Sequence, residues 1–126
     1  LGPLSVNDGG AVVNVASVEA NQPAAGHGHY AVSKAGLVML TRAAALEYGP
    51  AGVRINSVSP GLIDDGTLAE RWPDGVERWL AVAPLRRIGT PGDVADAVTF
   101  LASPMACWVT GADLVGDGGI LAVPTW

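Results

Sequence analysis

The sequence predicts an α/β domain built on a parallel sheet with helices as crossovers, and three observations carry that reading. Short β-branched runs occur at "AVVNVAS" (11–17) and "VRINSVSPG" (53–61), and the first reads as a strand buried on both faces. Between them, from His29 to Tyr48, apolar residues recur at helical spacing. Strand, helix and strand in that order imply parallel pairing, because antiparallel neighbours need only a hairpin.

Each element carries its own signals. The long helix runs through Val32, Ala35, Leu37, Val38, Leu40, Ala44 and Leu46, and "GPAG" stops it. The second strand alternates and ends in the Pro60–Gly61 turn. "TLAERWPDGVERWLAVAP" (67–84) is interrupted by Pro73 and Gly75, which predicts a short helix or helix pair carrying Trp72 and Trp79. "TPGDVADAVTFLAS" (90–103) opens with Thr90 as N-cap, Pro91 at the first helical position and Asp93 in the first turn. It then runs apolar through Val94, Ala97, Val98 and Leu101. "GADLVGDGG" (111–119) predicts a short strand centred on Leu114 and Val115. The order is β-α-β-α-α-β, and three parallel strands leave an edge beside "AVVNVAS" that needs a neighbour.

Composition narrows the function classes. A chain of 126 residues that is 49% hydrophobic and 15% charged fits one globular domain. A net charge of -5, with no basic cluster beyond Arg86 and Arg87, speaks against a nucleic-acid partner. The apolar runs fall far short of the roughly 20 residues that span a bilayer, and no signal segment opens the chain, so a soluble, cytoplasmic protein without a membrane partner is expected. Cys107 stands alone, which leaves no disulfide framework and no metal-ligand spacing; it reads as a small buried apolar residue. The opening "LGPLSVNDGG" reads as the end of an upstream element followed by a turn, so the chain is expected to be part of something longer.

Lys34 is the only lysine, against six arginines, and it follows Tyr30 by one helical turn in "GHGHYAVSKAG" (26–36). Ser17 ends the first strand, and ligands of open α/β sheets sit beyond the carboxyl ends of strands, so the three residues are expected to meet there. A phenol moves protons near neutral pH only if its anion is stabilised, and an ammonium about 4 Å away supplies roughly 4 kcal/mol at an effective dielectric near 20. A compact ammonium can also reach a second ligand group where a planar guanidinium cannot. Ser17 would hydrogen-bond the substrate oxygen on which charge develops. By spacing alone, an ordinary surface pair is the favoured reading of Tyr30 and Lys34 over a proton-transfer site.

The wider pattern distinguishes these readings. "NVAS" (14–17), "YAVSK" (30–34), "RINSVSPG" (54–61), "PLRRIGTPGDVADAVTFLAS" (84–103) and "TGADLVGDGG" (110–119), in this order, closely resemble the C-terminal half of the short-chain dehydrogenase/reductase family. The resemblance runs from about Gly10 to Gly119. It implies that residues 1–126 are the catalytic and substrate-lid half of a Rossmann-like, doubly wound parallel sheet. It also implies an NAD- or NADP-dependent enzyme interconverting a secondary alcohol and a ketone.

On matching positions, the resemblance makes Tyr30 the general acid/base, beside the cofactor. Lys34 would assist it and hydrogen-bond the nicotinamide ribose, while Ser17 would orient the substrate oxygen. Pro60, Gly61 and Ile63 would line the nicotinamide side of the pocket, and residues 67–85 would form the substrate lid. Gln22, His27 and Trp72 are further candidates for substrate contact. For His27 and His29 a solvated loop is the competing reading, and for Gln22, Trp72 and Trp79 it is ordinary packing. Two positions depart from the family: Asp65 stands where a threonine is usual, and Gly116 precedes Asp117, which predicts a looser last strand.

The family's Gly-rich phosphate-binding turn and its catalytic asparagine have no match in this sequence. A missing segment or a second chain carrying the N-terminal half is therefore expected to complete the sheet. A homo-oligomer, dimer or tetramer, is also expected, through the Ala- and Gly-rich long helix and the apolar tail ending at Trp126; Trp108 reads as structural. The competing reading is a noncatalytic oligomerisation partner, or an inactive fragment without a cofactor cradle.

Overall fold

The computed structural model of the chain describes residues 9–126. The sequence reading of residues 1–8 lies outside the described residues.

Three parallel strands form one sheet in the order β1-β2-β3, with β1 at Ala11–Val15, β2 at Arg54–Pro60 and β3 at Asp113–Gly116. Helix α1 (Gly28–Tyr48) connects β1 to β2, while α2 (Leu68–Arg71), α3 (Pro73–Val82) and α4 (Pro91–Ala102) lie between β2 and β3. This is the predicted α/β order, with the interrupted segment resolved as a helix pair broken at Trp72. The register aligns Val15 with Val58 and Pro60 with Gly116, so the strands finish at neighbouring levels.

The central strand is covered on both faces. Ile55 packs with Val53 and Ala45 of α1, and Val58 packs with Leu101 of α4 and Ala106. The odd and even positions of β2 thus point to opposite helices, as strand geometry requires. Thr90 caps α4 by accepting the Asp93 amide, and the Asp93 carboxylate returns to the Thr90 amide at 2.8 Å, a reciprocal capping box. At the other end of α4, Arg54 donates to the carbonyls of Leu101 at 2.8 Å and Ser103 at 3.1 Å, placing a cation at the helix C-terminus.

Several expectations need correction. β1 is only half-buried, with Val15 47% exposed, because it forms the sheet edge among the described residues. The apolar positions of α1 do not all face the sheet: its buried residues are Thr41 and Ala45, whereas Leu46 is 83% exposed. An Ala-rich helix is apolar over much of its circumference, so spacing identifies the helix but not its packing face. Cys107 is exposed, because the tight turn at Pro104–Ala106 buries Ala106 instead. Trp108 is 97% exposed, so it does not pack within the described residues. Gly116 does not loosen the last strand: it pairs with Pro60 and its carbonyl accepts the Gly61 amide at 2.9 Å.

Leu101 is 1% exposed at the centre of the α4 side of the core. Leu101→Ala should cost about 3 kcal/mol, read from the denaturation midpoint of the intact protein.

Candidate active site

The site is built where the strands end. Ala16 continues the pairing of β1 by donating to the Val58 carbonyl at 2.7 Å, and Ser17 then leaves the sheet as the N-cap of a short turn. Its buried Oγ accepts the Glu19 amide at 3.1 Å, which leaves the hydroxyl proton free to donate.

Tyr30 lies in the first turn of α1 and is 37% exposed. Lys34, one turn on, donates from Nζ to the Val15 carbonyl at 3.1 Å, and the same ammonium lies 5.5 Å from the Tyr30 ring centroid. One lysine thus ties the start of the helix to the end of β1 and holds a positive charge beside the phenol. The remaining ammonium protons are available to another acceptor.

His27 and Glu19 brace this arrangement. His27 Nδ1 lies 2.9 Å from the Glu19 carboxylate, and its ring meets Tyr30 edge-on with centroids 6.5 Å apart. The structure therefore gives His27 a partner within the chain. Glu19 escaped sequence reasoning, since a lone acidic residue in a loop has no periodicity or motif to mark it.

Pro60, Gly61 and Ile63 border a cavity of about 490 Å³, together with Trp79, Leu85 and Val94. Its wall is fixed by backbone bonds across an isolated bridge: Asp64 donates to the Gly89 carbonyl at 2.9 Å and Gly89 to the Leu62 carbonyl at 2.8 Å. The Ile63 amide takes no part in that bridge. Arg87 grips both carboxylate oxygens of Asp93, at 2.6 and 3.0 Å, next to the same wall.

The predicted residues do not form one continuous pocket. Ser17, Tyr30 and Lys34 gather at the end of β1, while Pro60, Gly61 and Ile63 line the separate cavity at the ends of β2 and β3. Gln22 is not in that cavity: it borders a shallow groove with Asn21, Arg42 and Asp113. Trp72 is not there either. It covers Gly75, where a Cβ would collide with the indole, and Arg78 lies over its ring at 5.8 Å. Of the two tryptophans in residues 67–85, Trp79 is the one that reaches the cavity.

A model of the short-chain alcohol dehydrogenase type, described as enoyl-(acyl carrier protein) reductase, matches residues 2–121. The chain belongs to the short-chain dehydrogenase/reductase family. It is 45% identical to the protein FixR of Bradyrhizobium diazoefficiens over 112 residues, covering 87% of this chain and 39% of that protein. It is 43% identical to L-rhamnose 1-dehydrogenase (NAD(P)(+)) of Azotobacter vinelandii over 114 residues, covering 89% of this chain and 44% of that enzyme. The ligand-free aldohexose dehydrogenase of Thermoplasma acidophilum superposes with a TM-score of 0.86 at 32% identity, covering 95% of this chain and 51% of that one. The chain spans about half the length of the curated relatives it matches, and corresponds to the C-terminal part of the family's Rossmann fold.

Against the short-chain dehydrogenase pattern, the departure at Asp65 has a local explanation. Its carboxylate accepts the Thr67 amide at 2.9 Å and hydroxyl at 2.8 Å, and pairs with Arg71 at 2.8 Å. Those bonds, led by the Thr67 amide, hold its proton affinity below the ordinary carboxylate value. Among the described residues, no helix is long and apolar enough to cross a membrane.

Hydrogen bonding from Arg87, followed by the Thr90 amide, holds the Asp93 carboxyl well below the usual carboxylate range. A depressed value in the folded state means stabilisation that is complete above the unfolded value near 3.8 and is lost as pH falls through the folded value. The melting temperature of Asp93→Asn should therefore lie below wild type at neutral pH, with the gap narrowing on titration from about pH 5 toward pH 2. A gap independent of pH would contradict this.

Proposed function

We propose that this chain is the catalytic and substrate-lid part, residues 1–126, of an NAD(P)-dependent oxidoreductase that interconverts a secondary alcohol and a ketone. The observation that carries the reading is Lys34, which bonds the end of β1 and lies against the Tyr30 ring at the carboxyl ends of the strands.

In this reading Ser17 donates its free hydroxyl proton to the substrate oxygen and orients it. The Tyr30 hydroxyl gives a proton to that oxygen in ketone reduction and removes it in alcohol oxidation. The Lys34 ammonium stabilises negative charge as it develops on the phenol oxygen. The His27–Glu19 contact holds the turn bearing Ser17 against the start of α1 and limits the freedom of both donors. The bound nicotinamide supplies the hydride chemistry. The residues present fit that end of the cofactor: Ile63 has an uncommitted amide, and Lys34 has protons to spare for a ribose hydroxyl.

We assign the adenosine end of the cofactor to an N-terminal half, in the same chain or in a partner, that pairs with the open edge of β1. The apolar outer face of α1, with Val32, Met39, Leu40 and Leu46 exposed, favours a homo-oligomer. The scaffold reading draws on the same helix face, yet gives no role to the engagement of Lys34.

Tyr30→Phe in the intact protein should lower kcat at least about 100-fold while leaving NADH or NADPH binding, followed by cofactor fluorescence, within about twofold. Retained turnover would remove Tyr30 from the chemistry. Leu46→Arg should shift the assembly toward a smaller species in light scattering, and an unchanged mass would remove α1 from the interface.

A further inference from the structure

We propose that His27 accepts a hydrogen bond from a second substrate hydroxyl, on the carbon next to the reacting one, so that the substrate is a vicinal diol or the corresponding hydroxyketone. The proposal rests on the oxidoreductase reading for the reaction at Tyr30, but not for the state of the imidazole.

Glu19 decides what His27 offers. An ionised carboxylate only accepts, and it lies 2.9 Å from His27 Nδ1, so the proton of the neutral imidazole sits on Nδ1. Nε2 is then a lone-pair acceptor. Among the described residues the ring makes no other hydrogen bond, and the His27 side chain is 58% exposed where that of Glu19 is only 20% exposed. The carboxylate is thus spent inside the protein, while the far nitrogen of the ring is left to meet a ligand. Glu19 is itself placed by the turn after β1, where its amide donates to Ser17 Oγ at 3.1 Å.

The position of His27 suits a group beside the reacting carbon. It precedes Tyr30 by three residues and Lys34 follows Tyr30 by four, so the three side chains share one face at the start of α1. His27 and Lys34 flank the tyrosine from opposite directions along the axis, at about 4.5 and 6 Å of helical rise. Lys34 is tied to the Val15 carbonyl at 3.1 Å and, in the reading above, serves the cofactor. The substrate body is therefore left the His27 side, where the imidazole meets the Tyr30 ring edge-on with centroids 6.5 Å apart. The donor and acceptor pattern also fixes the orientation of a hydroxyketone. Its carbonyl oxygen, which only accepts, meets the hydroxyls of Ser17 and Tyr30, and its hydroxyl, which can donate, meets Nε2.

The test compares His27→Phe and Glu19→Ala with wild type in the intact protein at about pH 8.5, above the ordinary imidazole range. The substrates are cyclohexanol and cis-1,2-cyclohexanediol, oxidised with NAD or NADP. The ratio of kcat/KM for diol over cyclohexanol should fall about five- to tenfold in His27→Phe, which keeps a ring against Tyr30 but has no acceptor. It should fall by less in Glu19→Ala, which frees the tautomer. Calorimetric Kd values for the two alcohols, measured without cofactor, should shift in the same sense. A purely structural role would weaken both alcohols together; an unchanged ratio in both measurements, or binding of neither alcohol, overturns the proposal. Imidazole nitrogen-15 shifts supply a check that needs no substrate: the proton of wild-type His27 should be on Nδ1, and a proton on Nε2 overturns the proposal too. If His27→Phe fails to fold, Glu19→Ala decides by the same criterion. Should the Kd ratio shift while wild type oxidises neither alcohol, the His27 subsite stands and the oxidoreductase reading falls.

Discussion

From Ile55 to Pro60 every residue of β2 is buried, so its backbone polar groups must be satisfied inside the protein. Ladder bonds to β1 and β3 meet most of that demand. Where the short β3 has not yet begun, side chains take over: the Ile55 amide donates to Thr110 Oγ1 at 3.0 Å, and Asn56 donates to the Val109 carbonyl and accepts the Ala112 amide. The two buried serines of the strand are tolerated because Asp113 accepts both hydroxyls, Ser57 at 2.7 Å and Ser59 at 2.8 Å. Helices α1 and α4 must then cover the two faces, and the strand ends are brought level.

That levelling builds the candidate site. Ser17 lies just past β1, while Pro60 and Gly116 end β2 and β3; local bonds from the Glu19 amide to Ser17 and from the Gly119 amide to Asp117 set the turns after β1 and β3, and the Gly61 amide bonds across to the Gly116 carbonyl. Rigid strands and short, internally bonded turns can hold donors to the tolerances that chemistry requires. The segment leading from α3 to α4 joins this frame through Gly89 and the Arg87–Asp93 pair, so the same carboxylate that caps α4 also steadies the cavity wall.

Among the described residues, Leu46, Val32 and the other outer residues of α1 present an apolar face, and β1 has an open edge. Each is a site where water contact is unfavourable, and each favours another surface lying against it.

The order of strands and helices, the capping box at Thr90 and Asp93, and the pairing of Tyr30 with Lys34 could all be read from the sequence, because each follows from local spacing and local hydrogen-bonding chemistry. The bracing of His27 by Glu19, the separation of the cavity from Tyr30, and the choice of Trp79 over Trp72 could not. Each depends on which loops and helices meet across the fold. The packing face of α1 was hidden for a related reason: a helix apolar on most sides offers several faces, and only the sheet selects one. Sequence by itself determined the elements and the chemical groups at their ends; tertiary structure decided which of those groups face each other, because long-range contacts are set by packing rather than by period.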